Sequence, residues 1–200
     1  IKHYTFSETD LSLIQQHRGA ANQLGFAVQL CYMRYPSIIL GVDEMPSAML
    51  LRLVSQQLGV DAASWAQYGQ REQTRREHLI ELQTALAFQT FTTTHHYQPT
   101  VHGLSDLARQ TDKGIVLATA LVEKLRQQKI LLPSINVIER ICAEAITRAN
   151  RLIYATLTTP LLSQHHQHLD NLLNIKEGSK MTWLAWLRQS PAKPNSRHML

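Results

Sequence analysis

Glycine and proline are scarce in this chain, and long stretches contain neither residue. The 200 residues include only 8 glycines and 7 prolines, and none of these falls within residues 70–98 or 134–159. An all-β sandwich needs a turn about every 8 to 12 residues, so this distribution disfavours that fold. Apolar side chains instead recur at spacings of three and four residues, and no segment alternates convincingly between apolar and polar residues. The sequence therefore predicts an all-α fold.

Capping residues and glycines divide the first half of the chain into short helices. Ser7 precedes several acidic residues and predicts the start of the first helix. Asp61 predicts the N-cap of a short helix that Gly69 closes, and a longer helix over about residues 70–88 follows. A helix, a short glycine turn and a second helix are the outline of a helix-turn-helix motif. The pattern thus predicts two consecutive helical, helix-turn-helix-like modules.

The charge distribution and a threonine-rich segment predict where the two modules meet. Residues 1–92 carry 7 basic and 8 acidic side chains, a net charge of −1, whereas residues 93–200 carry 13 and 7, a net charge of +6. The segment 90–94 is the best linker. We therefore predict a first module over residues 1–92, a second and more basic module over 93–190, and a linker over 191–200 to a missing downstream region.

Composition narrows the class of protein. Apolar residues make up 44% of the chain and charged residues 18%, which disfavours a disordered tail. The longest apolar runs are far shorter than the roughly 20 residues that span a bilayer, so no membrane partner is expected. Cys31 and Cys142 form neither a disulfide framework nor a zinc knuckle, and no export signal opens the sequence. A cytoplasmic location is expected, and the net charge of +5 favours a nucleic-acid or acidic partner.

The sequence lacks the usual catalytic signatures. The patterns GxxxxGK[ST], GxGxxG, GxSxG and HExxH are all missing. His165, His168 and Asp170 form at best an incidental metal site, and a solvated polar helix face is the simpler interpretation. We therefore predict no catalytic residue, no metal site and no cofactor for this chain.

Residues 68–78 are the first candidate DNA-binding segment. On a helix, Arg71, Arg75 and His78 fall on one row that presents several hydrogen-bond donors. Such a row suits a major groove, where arginine binds guanine and glutamine binds adenine. The alternative is a plain helix surface on which Glu72 pairs with neighbouring arginines. The DNA-binding residues predicted from this segment are Gln70, Arg71, Gln73, Thr74, Arg75, Arg76 and His78.

A second candidate segment surrounds Pro133. Arg140, Thr147 and Arg151 share one helix face that spans about 16 Å at 1.5 Å per residue. That length suits a run of phosphates, and the helix N-terminus at Ser134 is able to receive one. The alternative is a solvated face beside an apolar turn. The DNA-binding residues predicted from this half are Lys113, Lys124, Arg126, Lys129, Ser134, Asn136, Arg140, Arg148 and Arg151.

Four stretches of the sequence match a known family. They are RGAANQLGFAVQLCYMRYP over residues 18–36, YGQREQTRREH over 68–78, ILLPSINVIER over 130–140 and RANRLIYATL over 148–157. Through these segments the chain resembles the N-terminal region of the replicative, class II transposases of the Tn-three family of bacterial transposons. The resemblance extends over nearly the whole chain.

This resemblance implies sequence-specific binding of the terminal inverted repeats of a transposon. It implies double-stranded DNA and other transposase subunits as partners, in the bacterial cytoplasm at the nucleoid. The family's catalytic core is RNase H-like and uses three acidic residues and magnesium; we expect that core to be absent from this chain.

Two alternatives stay open. One is a helical scaffold for transposase assembly or protein partners that binds DNA only non-specifically. The other is a fragment that contributes residues to the parent's active site, which the lack of a carboxylate cluster disfavours.

Overall fold

The structure is a computed structural model that describes residues 3–41, 44–70 and 72–189. Within these ranges only isolated β-bridges accompany the helices, which confirms the predicted all-α class. A 3-10 helix over Ala62–Gln67 precedes α4, and a π-helical turn over Thr93–Tyr97 precedes α5. The α-helices are α1 (Glu8–Gln15), α2 (Ala20–Arg34), α3 (Ala48–Leu58), α4 (Glu72–Leu86), α5 (Gln98–Ala108), α6 (Gly114–Gln127), α7 (Ile135–Thr158), α8 (Ser163–Asn171) and α9 (Trp183–Leu187).

Local capping explains where several helices begin. The Ser7 hydroxyl accepts a hydrogen bond from the Asp10 backbone N–H at 3.2 Å, and the Asp10 carboxylate accepts one from the Ser7 N–H at 2.8 Å. This reciprocal capping box satisfies two backbone donors that the first turn leaves free. The Asp61 carboxylate accepts from the Ala63 N–H at 2.9 Å and starts the 3-10 helix. Both predicted caps are confirmed.

The chain divides into two compact units, residues 1–149 and 150–200. The first unit contains two hydrophobic clusters. The first cluster joins α1 to α4 around fully buried residues such as Phe26 and Leu82. The second cluster joins α5, α6 and the start of α7 around Leu121 and Ile141. The predicted module boundary after residue 92 stays a prediction, and the predicted linker over 191–200 lies outside the described residues.

Within the first unit, the two clusters meet along a short connection that we call the seam. The Gln89 N–H donates to the Lys129 carbonyl and the Leu131 N–H donates to the Gln89 carbonyl, both at 2.8 Å. The Leu132 N–H donates to the Ser37 carbonyl at the same distance. Leu131 packs in the first cluster and Ile130 in the second. The segment 129–132 therefore fixes the two clusters against each other.

The described part of the second unit has no buried residue. It includes the last turns of α7, together with α8 and α9. The Thr182 hydroxyl caps α9 by accepting from the Ala185 N–H at 3.2 Å. The Lys176 ammonium lies 3.6 Å from the centroid of the Trp186 ring. In the ranges that the structure describes, no helix combines the length and the apolar character needed to cross a bilayer.

Candidate nucleic-acid interface

Two of the predicted DNA contacts on α4 are buried. Arg75 is 7% exposed and its guanidinium donates to the Leu40 carbonyl, while His78 is 4% exposed. Together with Leu82 they form a row at i, i+3 and i+7, and that row faces the first cluster. The prediction that Arg75 and His78 lie on an exposed polar row is therefore wrong. The same spacing that suggested a DNA-facing row is the inward stripe of the helix.

His78 belongs to a cluster of aromatic rings. Its ring centroid lies 4.2 Å from that of His17 and 5.3 Å from that of Phe26. The Tyr68 hydroxyl lies 3.3 Å from His78 Nδ1. Burial and the neighbouring His17 lower the pKa of His78 to about 4. His78 is thus neutral at pH 7 and brings no positive charge to a phosphate.

The position of the Tyr68 ring explains why residue 25 of α2 is a glycine. A Cβ added to Gly25 would lie 1.9 Å from Cδ2 of Tyr68, so only glycine lets the ring approach this closely. Two of the segments that carry the family resemblance, 18–36 and 68–78, therefore contact each other. The residues that these two segments share with the family therefore reflect, at least at Gly25 and Tyr68, packing within the protein.

The other residues predicted to contact DNA in this segment lie on the outer side of α4 or just before it. Gln70, Gln73 and Arg76 are exposed, Thr74 is half-buried, and Arg71 lies outside the described residues. The Gln73 amide donates to the Glu77 carboxylate at 2.7 Å. The helix-turn-helix character of this stretch stays a prediction.

The basic residues predicted in the second half are mostly exposed. Arg126 is half-buried. Among the described residues, none of the basic members forms an ion pair. Lys124 and Arg126 lie in the last turn of α6, where they also stabilise the helix dipole. The exposed residues of the whole predicted set, basic or not, are Lys113, Lys124, Lys129, Ser134, Asn136, Arg140 and Arg148 in the first unit, and Arg151 in the second.

An open cleft of about 580 Å³ lies at the seam, and we call it the seam cleft. Arg126 lines the cleft. Its Nε donates a hydrogen bond to the Pro36 carbonyl at 3.1 Å, and its guanidinium carbon lies 4.7 Å from the centroid of the Tyr35 ring. The Lys129 ammonium lies 5.1 Å from the centroid of the Phe88 ring. Two of the predicted basic residues therefore line one cavity together with aromatic rings.

Other residues of the seam cleft were not among the predicted DNA contacts. His3, Arg34 and Tyr35 line it, and the His3 and Tyr35 rings lie parallel with centroids 5.4 Å apart. Arg34 donates from Nη1 to the Asp10 carboxylate at 3.0 Å. The only sequence signal for this group is the Arg-Tyr-Pro end of the segment 18–36. That signal does not indicate that residue 126 lies nearby.

One of the three residues considered above as an incidental metal site, His165, has a local structural role. His165 Nδ1 accepts from the Leu162 N–H at 3.2 Å, at the start of α8. Across the described residues, no three histidine, cysteine or acidic side chains come together in a way that would hold a metal ion. Cys31 and Cys142 are free and buried, and burial raises the pKa of Cys31 to about 12.

Comparison with known proteins places the chain in a family. Residues 1–145 match the family described as "Domain of unknown function (DUF4158)". The chain belongs to the DUF4158 family. This DUF4158 protein is also similar along its whole length to curated proteins, and it spans about a fifth of the length of each of the following relatives.

These relatives are transposases. The DUF4158 chain is 68% identical over 200 residues to the transposase for transposon Tn3926 and 62% identical to the transposase for transposon Tn21, both of Escherichia coli. It is 53% identical over 201 residues to the transposase for transposon Tn501 of Pseudomonas aeruginosa. The resemblance to Tn-three family transposases is confirmed.

Proposed function

We propose that this chain binds double-stranded DNA at the terminal inverted repeats of its transposon, as a non-catalytic part of a replicative transposase. One observation carries the proposal: Arg126 and Lys129 line the seam cleft, Arg140 is exposed on α7, and none of the three has an ion-pair partner among the described residues. Because the relatives are all transposases, the anion that these cations meet is DNA. Other transposase subunits are further partners, in the bacterial cytoplasm at the nucleoid. Magnesium would belong to a catalytic core outside this chain.

The basic residues of the second half supply the proposed phosphate contacts. Arg140 and Arg148 are eight residues apart on α7, which is about 12 Å along the helix axis. Lys124 and Lys129 add charge on the side of the seam. Phosphate contacts fix the position of a protein on the duplex but carry no sequence information. The members of this set are Lys113, Lys124, Arg126, Lys129, Ser134, Arg140, Arg148 and Arg151.

Base contacts in this proposal come from the exposed amides and from Arg76. Gln70, Gln73 and Asn136 provide the paired donor and acceptor that recognise adenine, and Arg76 provides the donors that recognise guanine. Arg75 is left out of the contact set because its guanidinium is engaged with the protein backbone.

The test is fluorescence anisotropy on a labelled duplex of the chain's own transposon end and on a scrambled duplex, at two salt concentrations. We expect the true end to bind at least about a hundredfold more tightly, which corresponds to about 2.7 kcal/mol. Neutralising about six phosphates gives a log–log salt slope near −5. Equal binding of both duplexes would contradict sequence-specific recognition.

A charge-matched pair of variants locates the interface. Lys124→Glu with Arg140→Glu should weaken end binding and flatten the salt slope. The control, Arg52→Glu with Arg188→Glu, makes the same change in net charge at exposed positions outside the proposed set. Equal weakening by the two variants would show that only the overall charge matters.

A second candidate function is a helical scaffold for transposase assembly. The second unit favours it, because Leu157 and Leu173 are about 60% exposed there and α8 and α9 have no buried residue. Exposed apolar surface of this kind often marks a protein interaction site. The scaffold predicts self-association or partner capture together with DNA binding that ignores sequence. Light scattering beside the anisotropy series separates the two functions.

A further inference from the structure

The seam cleft contains the stacked rings of His3 and Tyr35, and the Arg126 guanidinium carbon lies 4.7 Å from the centroid of the Tyr35 ring. Tyr35 is 43% exposed and the parallel His3 ring is also exposed, so a planar group has access to the stack. Single-stranded nucleic acids bind proteins by stacking their bases on such rings beside cationic side chains. The cleft therefore has both of the chemical features that a nucleotide requires.

Arg126 and Lys129 are held in place in the cleft by backbone carbonyls, those of Pro36 and Leu86, and have no ion-pair partner among the described residues. Arg126 uses only Nε for its bond to the Pro36 carbonyl, and its terminal nitrogens have no hydrogen-bond partner among the described residues. Arg34 differs, since the Asp10 carboxylate already pairs with it. Lys129 has a backbone φ of 56°, in a region that favours glycine, and its ammonium rests beside the Phe88 ring. Arg126 and Lys129 are therefore the phosphate ligands of the cleft.

We propose that the seam cleft binds one nucleotide of the transposon end with its base unstacked from the duplex. Its phosphate lies between Arg126 and Lys129, and its base stacks on the exposed His3 ring, which itself stacks on Tyr35. The cavity of about 580 Å³ falls within the range of about 300 to 1,000 Å³ that is usual for small-molecule sites. This inference rests on the proposed function, because it names how one nucleotide of the same DNA is held.

Glu123 gives the site a preference among bases. Its carboxylate lines the cleft and has no hydrogen-bond or ion-pair partner among the described residues. A carboxylate accepts hydrogen bonds from an exocyclic amino group such as that of cytosine, whereas thymine lacks this donor. The site therefore favours an unpaired cytosine over an unpaired thymine.

The experiment uses duplexes of the transposon end that carry one extra, unpaired deoxycytidine, placed at successive positions in successive duplexes. Taking a base out of a duplex costs unstacking and unpairing free energy, and an extra unpaired base avoids most of that cost. Anisotropy should show about tenfold tighter binding than to the paired duplex at one or a few positions, as expected for stacking of one base. An abasic nucleotide at the same position keeps the phosphate and should lose the gain.

Variants test whether the tighter binding of the unpaired duplex depends on the seam cleft. His3→Ala with Tyr35→Leu should abolish the gain, whereas Tyr35→Phe keeps the ring and should retain it. Glu123→Gln should remove the preference for deoxycytidine over deoxythymidine. Tyr154→Leu, at an exposed tyrosine of the second unit, is the matched control and should change nothing. Circular dichroism melting checks each fold; His3→Ala and Glu123→Gln alter exposed side chains and keep the test valid if Tyr35→Leu unfolds.

The outcomes separate this inference from the proposed function. Equal binding of paired, unpaired and abasic duplexes at every position, with the true end still preferred over the scrambled duplex, would overturn the inference alone. A gain that survives His3→Ala with Tyr35→Leu would also overturn it. Failure to distinguish the true end from the scrambled duplex would overturn the proposed function, in a measurement without unpaired nucleotides.

Discussion

The two hydrophobic clusters of the first unit differ in how many polar side chains are buried around them. The helices around the second cluster bury one polar side chain in the described ranges, Thr100, and their charged residues stay near the surface. The first region instead buries several polar groups and satisfies them internally. Those groups are Asp10, Gln29, Ser37, Ser55, Arg75 and His78. The buried polar groups around the first cluster thus help to specify the fold. The charged residues around the second cluster stay at the surface, where a partner can reach them.

The buried polar groups of the first region hold the segment 37–40, which contributes one hydrogen bond to the seam. The Gln29 amide donates to the Leu40 carbonyl at 3.1 Å and accepts from the Leu40 N–H at 3.2 Å. Arg75 donates to the same carbonyl. Ser37, three residues earlier, accepts the seam bond from Leu132. Arg75 therefore supports the seam as a positioning residue.

The largest expected effect comes from the ion pair between Asp10 and Arg34. Burial raises the pKa of Asp10, but hydrogen bonds from Arg34 and Ser7 outweigh this effect and hold the pKa below its ordinary value. Asp10→Ala leaves Arg34 without its partner and should lower the free energy of unfolding by about 3 kcal/mol. Urea denaturation measures this loss.

The control for Asp10 is the exposed pair near the second cluster. Arg109 and Asp106 retain 47% and 78% of their side-chain exposure. Asp106→Ala should therefore change the free energy of unfolding by less than about 1 kcal/mol. Similar losses for the two variants would contradict the contrast between the regions.

The next effect is a pH dependence that comes from His78. The unfolded chain takes up a proton on this ring below about pH 6.5, but the folded chain does so only near pH 4. The stabilisation is therefore fully present above pH 6.5 and is lost as pH falls towards 4, by up to about 3 kcal/mol. Urea midpoints near pH 7 and pH 5 should show the loss. His78→Phe should flatten the pH dependence, and His102→Gln, at an exposed ring of α5, should leave it unchanged.

The smallest effect on stability belongs to the second region. Arg140→Gln should leave the free energy of unfolding within about 0.5 kcal/mol of its original value, because Arg140 is exposed. The same change should reduce the salt slope of end binding by about 1. Arg52→Gln is the matched control and should affect neither quantity. A large loss of stability in Arg140→Gln would instead show that Arg140 stabilises the fold, as the buried charged residues around the first cluster do.

Features fixed within a few residues were predictable from the sequence, and features fixed at long range were not. The caps at Ser7 and Asp61 follow from local chemistry and are confirmed. The exposure of Lys124 on α6 was also predictable, because the buried stripe of Leu117, Leu121 and Leu125 leaves it outside. The burial of Arg75 depends on a carbonyl 35 residues away, which periodicity alone does not indicate.

The connector over residues 128–134 has a length that tolerates no change. Its backbone bonds two separate partners, since Lys129 and Leu131 bond Gln89 and Leu132 bonds Ser37. One inserted residue would shift each later donor out of register and would rotate Leu131 out of its cluster. Evolution of this connector should therefore proceed by substitution, while insertions and deletions accumulate in other loops of the chain.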